Sequence, residues 1–464
     1  MQGRPAKAIR ELRRQLDDNL FPSLPDVGET TGRGRQAVVI VGLLTLAVVV
    51  QLARIGWSGS LNALWAEDGS VFLQGALTQS FWHAVSTEYA GYLVLVPRLI
   101  GEAASAVPLD EAPLVVSTLS AVLVGLSGLA VWYASAAHIA NPYLRGALVV
   151  ATILTPVGGL ETIDSASYAS WYMLFATFWL LLWRPRTQIG ASLAALLILA
   201  TALSNPGVWF FMPLALLRAI AVRDRRDATI LGAFFTGAAA QGVAFAISDY
   251  EAVEPVWTSH IWAVLVQRVI NGAALGLRLG GEGWKLLGWP LLIALTIAAA
   301  VALAVGLQRA TWSARCLAAI AIPTALVMFV ASVYQRAVGL QMLWPADSFN
   351  GSAGRYSIVP VMLVVSVAMV TIEGLGKRRR GTSARPWLVA GAVALLLVST
   401  AVSLPERQLS VRGTPPWDAA LDSAAAACAE SGTSAVAIPV SPPGFGMQLP
   451  CSTIPHSSAP RSQR

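Results

Sequence analysis

Apolar runs close to twenty residues long recur along this chain, and that repetition constrains its fold more than any motif does. The first is QAVVIVGLLTLAVVVQLARI over 36–55, uncharged until Arg54. A helix rises about 1.5 Å per residue, so about twenty residues cover the roughly 30 Å of a bilayer's hydrocarbon core. Within that core every backbone N–H and C=O must be paired inside the protein, which leaves helices or closed barrels. These runs are long and continuous rather than short and alternating, which selects helices. Composition agrees: the 464 residues are 55% hydrophobic and 12% charged, against about 25% charged in soluble domains. The expected fold class is an all-α polytopic membrane protein.

Further apolar runs fall near 112–137, 142–158, 166–183, 188–204, 207–222, 228–247, 285–306, 313–333, 355–375 and 386–404. Basic residues orient them, because cytoplasmic loops carry the excess of arginine and lysine. The tail 1–35, Arg184-Pro-Arg186, Arg223-Asp-Arg-Arg226, 309–315 and 377–385 are the basic segments and are expected in the cytoplasm. Working back from Arg184, 159–165 falls outside and 138–145 inside. A crossing by 91–107 (GYLVLVPRLIGEAASAV) would invert every later loop against the charges, and the run contains Pro97, Arg98 and Glu102. It is therefore expected as an interfacial or re-entrant helix.

The result is about eleven spans, with a cytoplasmic N-terminus and an extracytoplasmic C-terminus. Residues 1–35 form the cytoplasmic tail. Residues 36–404 form the membrane domain, with a first outer loop over 56–111, and 405–464 form a small extracytoplasmic segment. The other outer loops are 159–165, 248–284 and 334–354.

The net charge of +7 lies in loops and tail, so it does not indicate nucleic acid. Lys7, Lys285 and Lys377 are the only lysines, and with the abundance of Ala and Gly this points to a high-GC, actinobacterial type of source. The membrane is then a bacterial plasma membrane. Cys316 lies in an apolar run and reads as a small buried residue. Cys428 and Cys451 share the polar C-terminal segment and form a plausible disulfide if that segment is outside.

The chemistry-bearing residues gather on the expected outer face. In LWAEDGSVFLQGALTQSFW, over 64–82, Glu67 and Asp68 stand together after the first span. Leu73, Leu77 and Phe81 share one face of the following run, the pattern of a helix lying in the headgroup plane. The plainer alternative is two solvated acids at a helix start. GGLETIDSASYASWY adds Glu161 and Asp164, able to bind a divalent cation (Mg or Mn) or to supply a base, or simply to be loop polarity. Tyr168, Trp171 and Tyr172 read as interfacial anchors. Arg98 and Arg355 run against the inside-positive trend; they suit a lipid phosphate, with Tyr89 and Tyr356 as further candidate phosphate-binding residues, or a salt bridge to an outer carboxylate. The four histidines show no ligand spacing, and there is no P-loop, H-E-x-x-H or G-x-S-x-G.

Trp65-Ala66-Glu67-Asp68-Gly69, with Gly91-Tyr92 through Pro97-Arg98-Leu99 and the Glu161/Asp164 loop, resembles the GT-C superfamily of integral-membrane glycosyltransferases. The hydropathy layout matches over about 30–404. The pair here is Glu-Asp, where better-marked members have Asp-Asp or Asp-Glu. The resemblance implies extracytoplasmic juxtamembrane helices, a polyprenyl-phosphate-linked sugar donor, a cell-envelope glycan or lipid acceptor, and inversion at the anomeric carbon. Asp68 is then expected as general base, with Glu67 orienting it or binding a cation. The alternatives are an envelope polysaccharide polymerase or ligase, or a lipid-sugar transporter or flippase. A transporter predicts charged residues at mid-span, and the centres of the clearest runs have none. A polymerase relies on outer arginines such as Arg268, Arg278, Arg336 and Arg355.

Overall fold

The computed structural model describes residues 4–23, 33–56, 61–221, 224–251, 257, 260–335, 354–377, 386–403, 415–431 and 433–454. Most of the expected loop 334–354, with Arg336, and of the basic loop 377–385 lies outside these residues. The longer helices are α1 (Arg4–Asn19), α2 (Arg33–Ala53), α3 (Leu95–Ser105), α4 (Ala112–Ala134), α5 (Pro142–Ile153), α6 (Ala166–Leu182) and α7 (Gln188–Ala202). They continue with α8 (Met212–Ala221), α9 (Arg225–Ile247), α10 (Gly272–Arg309), α11 (Trp312–Gln335), α12 (Arg355–Lys377), α13 (Pro386–Ser403) and α14 (Trp417–Ser431).

Six helical stretches are long and apolar enough to cross a bilayer: Leu109–Ala137, Arg225–Ile247, His260–Arg309, Trp312–Gln335, Arg355–Leu375 and Pro386–Ser403. The chain is a helical membrane protein. The remaining expected spans form shorter apolar helices of 10–17 residues: Ala37–Ala53, Pro142–Ile153, Ala166–Leu182, Gln188–Ala202 and Pro206–Ala221. Helix α3, over the expected interfacial run, has 11 residues and so a length of roughly 16 Å, about half a hydrocarbon core.

Two expectations change. The outer loop 248–284 is helical from His260 onward and continuous with the following span. Two glycines kink this helix, Gly276 at φ +69° and Gly288 at φ +57°. The amphipathic run after Asp68 is not one helix. A π-helical turn, Asp68–Leu73, leads into Gln74–Thr78, and extended backbone at Gln79 and Ser80 separates these from Phe81–Ser86. Leu73 and Ala84 point into the protein, whereas Phe81 and Trp82 are exposed.

Helix α6 is the centre of the bundle. All but Ser167 and Trp171 of its residues are buried, and Phe175, Phe178 and Trp179 anchor the main apolar core. Its two ends are met by charges of the sign its dipole favours. At the C-terminal end the buried Arg218 donates to Leu180 O at 3.1 Å and Leu181 O at 2.6 Å, and bonds Asp227 at 2.7 Å. That end is closed by the N-terminal segment. Leu20 and Phe21 after α1 are fully buried in the core, Asp17 pairs with Arg184, and Ser313 donates to Asn19 O at 2.6 Å.

The C-terminal segment is not all-helical. Helix α14 packs on an antiparallel pair, β1 (Ala435–Val440) and β2 (Phe445–Pro450), and a Cys428–Cys451 disulfide ties helix to strand end. Ile438, Val440, Met447 and Leu449 share one apolar cluster with Leu64, Leu73, Val96 and Ile100. The segment and the first loop therefore lie on the same side of the membrane.

Candidate active site at the acidic pair

The two adjacent carboxylates have different fates. Asp68 is 1% exposed and turns inward to the start of α6. One oxygen accepts from the Ser167 amide at 2.9 Å and the Ser167 hydroxyl at 2.6 Å; the other accepts from the Ala166 amide at 3.1 Å. Asp68 thus caps α6 from a distant part of the chain, where an anion meets unpaired amides and the positive end of the dipole. Burial pushes its carboxyl up to about 6; the Ser167 hydrogen bonds pull it down and neighbouring Glu67 adds to the rise.

Glu67 is only half-buried and faces the other way. Its oxygens accept from the Tyr89 and Tyr168 hydroxyls, each at 3.2 Å. Asp68, the residue expected as base, is the buried one of the two. The carboxylate with access is Glu67, and Asp68 is consumed by helix capping. The physical reason is direction: successive residues at a turn project to different sides, and the Asp68 side found amides to bind.

Arg355, at the first turn of α12, stands beside this pair. Its guanidinium lies 5.0 Å from the Tyr168 ring centre and 4.7 Å from that of Tyr356. It donates to Glu161 Oε2 at 2.6 Å, and its backbone amide donates to Glu161 Oε1 at 3.1 Å. Of the two readings of this arginine, the salt bridge to a loop carboxylate is the one formed. Burial raises the Glu161 carboxyl above its usual range, and Arg355 offsets only part of that. Arg268, fully buried in a second π-helical turn (Val266–Asn271), adds positive charge felt at Glu161. Such turns recur at functional sites.

The structure thus brings together Glu67, Asp68, Tyr89, Glu161, Arg355 and Tyr356 from four segments. Arg98 is placed elsewhere. It is 4% exposed beneath the loop, with Nη1 3.4 Å from Val71 O and its guanidinium 5.3 Å from the Phe72 ring centre. It holds the π-helical turn, and Phe72 in turn meets Tyr89 edge-on at 6.1 Å. Tyr168 and Tyr172, expected as interfacial anchors, are 8% and 0% exposed. Sequence reasoning missed Ser167 and the site role of Tyr168. The signal was the Ser165-Ala-Ser167 run opening an apolar helix, a start whose amides need an acceptor.

Asp164 is buried and sits at φ +53°, a left-handed conformation that Asp tolerates better than most residues. Ala66 at φ +37° and Ala90 at φ +53° are the other non-glycine residues with positive φ among those described. All three flank site residues, and strain of this kind costs about 1–3 kcal/mol and persists only where surroundings enforce it.

A divalent cation does not fit the Glu161 carboxylate as it stands. Both oxygens accept from Arg355, and a second arginine is felt there. Among the described residues, no group of three or more His, Cys, Asp or Glu could hold a metal ion. No known family model matches the chain, and a comparison with curated proteins found no match.

Proposed function

We propose that the chain is a membrane glycosyltransferase. It moves a sugar from a polyprenyl-phosphate donor to a hydroxyl of an envelope glycan or lipid, on the extracytoplasmic face of a bacterial plasma membrane. The observation that carries this reading is the accessible Glu67 carboxylate, oriented by two tyrosine hydroxyls beside the Arg355 guanidinium. In this reading the five shorter apolar helices complete about eleven spans, with the N-terminus cytoplasmic and the C-terminus outside.

Glu67 takes the proton of the acceptor hydroxyl as its oxygen attacks the anomeric carbon. The bond from that carbon to the phosphate oxygen breaks, and the lipid phosphate leaves with the electron pair. A positioned carboxylate base contributes about 10²–10⁴-fold to such a step. Arg355 neutralises the charge developing on the phosphate, exchanging Glu161 for it. Tyr89 and Tyr168 aim Glu67, and Asp68 fixes the turn that carries it. Inversion at the anomeric carbon follows from the resemblance to the GT-C superfamily. No step is routed through a cation.

A flippase must open at both ends, and the end opposite the site is closed by buried Leu20 and Phe21, Asp17–Arg184 and Arg218–Asp227. A polymerase relying on outer arginines is less well supported: Arg268 is fully buried and Arg355 is paired. The test is Glu67→Gln in a strain lacking the gene, followed by envelope glycan analysis. Loss of one glycan with accumulation of its unextended acceptor supports the transferase. Full restoration by Glu67→Gln overturns it.

A further inference from the structure

The segment that carries Glu67 does not hold its own shape. Ala66 adopts φ +37°, which an alanine occupies only under constraint. The constraint comes from the far end of the chain. Ser441 accepts a hydrogen bond from the Ala66 amide and donates its own to Leu64 O at 3.0 Å. Trp65 and Ser441 thereby form a parallel bridge, so the end of β1 is docked alongside the acidic pair. One residue earlier, Val440 fills the space over Gly69. A Cβ on Gly69 would come within 2.7 Å of Val440 Cγ1. The Gln448 amide, on β2, donates to Gln74 Oε1 at 2.7 Å, just past the π-helical turn.

The docked unit is itself anchored. Trp417 is 2% exposed, and its indole donates to Leu109 O at 2.8 Å. Asn62 and Asp418 bond each other reciprocally, at 2.9 and 3.1 Å. The Cys428–Cys451 bridge ties α14 to the end of β2 and so fixes the hairpin on the helix.

We propose that the C-terminal segment is a clamp, with Val440 and Ser441 as positioning residues that set the conformation of Ala66-Glu67-Asp68-Gly69. Its importance for turnover rests on the transferase reading. The clamp itself is a statement about the folded chain and can be tested without a substrate. Ser441 acts through backbone groups, which no side-chain substitution removes. Val440 acts through shape, which a paired substitution can separate from general damage.

The experiment uses the full chain in lipid nanodiscs, with Gly69→Ala, Val440→Ala and the double variant. Amide hydrogen exchange is read at Ala66 and Asp68, whose N–H groups bond Ser441 O and Trp65 O. Gly69→Ala alone creates the 2.7 Å clash and is expected to speed exchange at both amides by about tenfold or more. The double variant lacks Cγ1 and returns the rates to within about threefold of wild type. Cys428→Ser/Cys451→Ser is expected to speed the same two amides while leaving the α6 amides protected. Additive effects of Gly69→Ala and Val440→Ala, with no recovery, overturn the clamp, as do unchanged rates in the disulfide variant. Glycan restoration in the deletion strain is then scored for the same proteins. Recovery of exchange protection with no variant affecting the glycan leaves the clamp standing and removes the catalytic reading of the loop.

Discussion

The Asp68 carboxylate holds the Ser167 hydroxyl at 2.6 Å and its amide at 2.9 Å, a contact across 99 residues of chain. It joins the first loop to the start of the most buried helix. Arg218 does the converse at the other end of that helix, on the carbonyls of Leu180 and Leu181.

This contact is pH-dependent with a defined sign. The Asp68 carboxyl sits at about 6 in the folded chain, against 3.8 in its ordinary state. The folded form binds that proton more tightly. Its contribution to stability is therefore fully present below pH 3.8 and is lost as pH rises through about 6. Melting of wild type and Asp68→Asn from pH 4 to 8 should show a difference that shifts against the wild type with rising pH, by on the order of 3 kcal/mol in full. A pH-independent difference would sink this assignment.

Glu67→Gln should leave folding nearly intact, because the amide retains an acceptor oxygen and the side chain is only partly buried. Transfer should fall by about 10²–10⁴-fold. Tyr168→Phe and Tyr89→Phe each remove one donor to Glu67; each should cost about 1 kcal/mol of stability and a smaller part of the activity. Glycan analysis beside melting curves separates the two effects. A Glu67→Gln variant as destabilised as Asp68→Asn contradicts the division of roles.

Arg355→Met strands Glu161 in a buried position and should destabilise by roughly 3–5 kcal/mol. Glu161→Gln keeps an acceptor for the Arg355 amide and should cost less, about 1–3 kcal/mol. Thermal melts of both variants in one detergent decide the order. The reverse order would mean that a buried Arg355 guanidinium without its counter-ion costs more than a buried Glu161 carboxyl without Arg355.

Chelation is expected to change little. The oxygens of Glu161 are occupied by Arg355, and those of Glu67 by tyrosine hydroxyls. Membranes washed with EDTA should melt and transfer as untreated membranes do. Loss of transfer restored by added Mg or Mn would require these carboxylates to rearrange around a cation.

Much of the site was legible as residue types in a pattern. Glu67, Asp68, Tyr89, Glu161, Arg355 and Tyr356 are all in loops or first turns expected on one face, and they converge. Arg98 was not separable from Arg355 by sequence, since each is an arginine near an expected outer boundary. Only packing shows that one lies under the loop against Phe72 and the other beside Tyr168. The kinks at Gly276 and Gly288 have no signature of their own in the sequence, because glycine marks a loop and a helix bend alike.

What the sequence determined by itself is what depends on local pattern. Apolar length requires membrane helices, and two cysteines in one polar segment suggest their pairing. What the tertiary structure decided is what depends on the distant partner each group meets. Asp68 met the open amides of α6 and became a cap; Glu67, one residue earlier, met two tyrosine hydroxyls and kept access. Ser441, near the end of the chain, met Ala66 and holds the turn that separates them. A buried carboxylate is settled by whichever donors surround it, and those donors come from chain segments that no local pattern brings together.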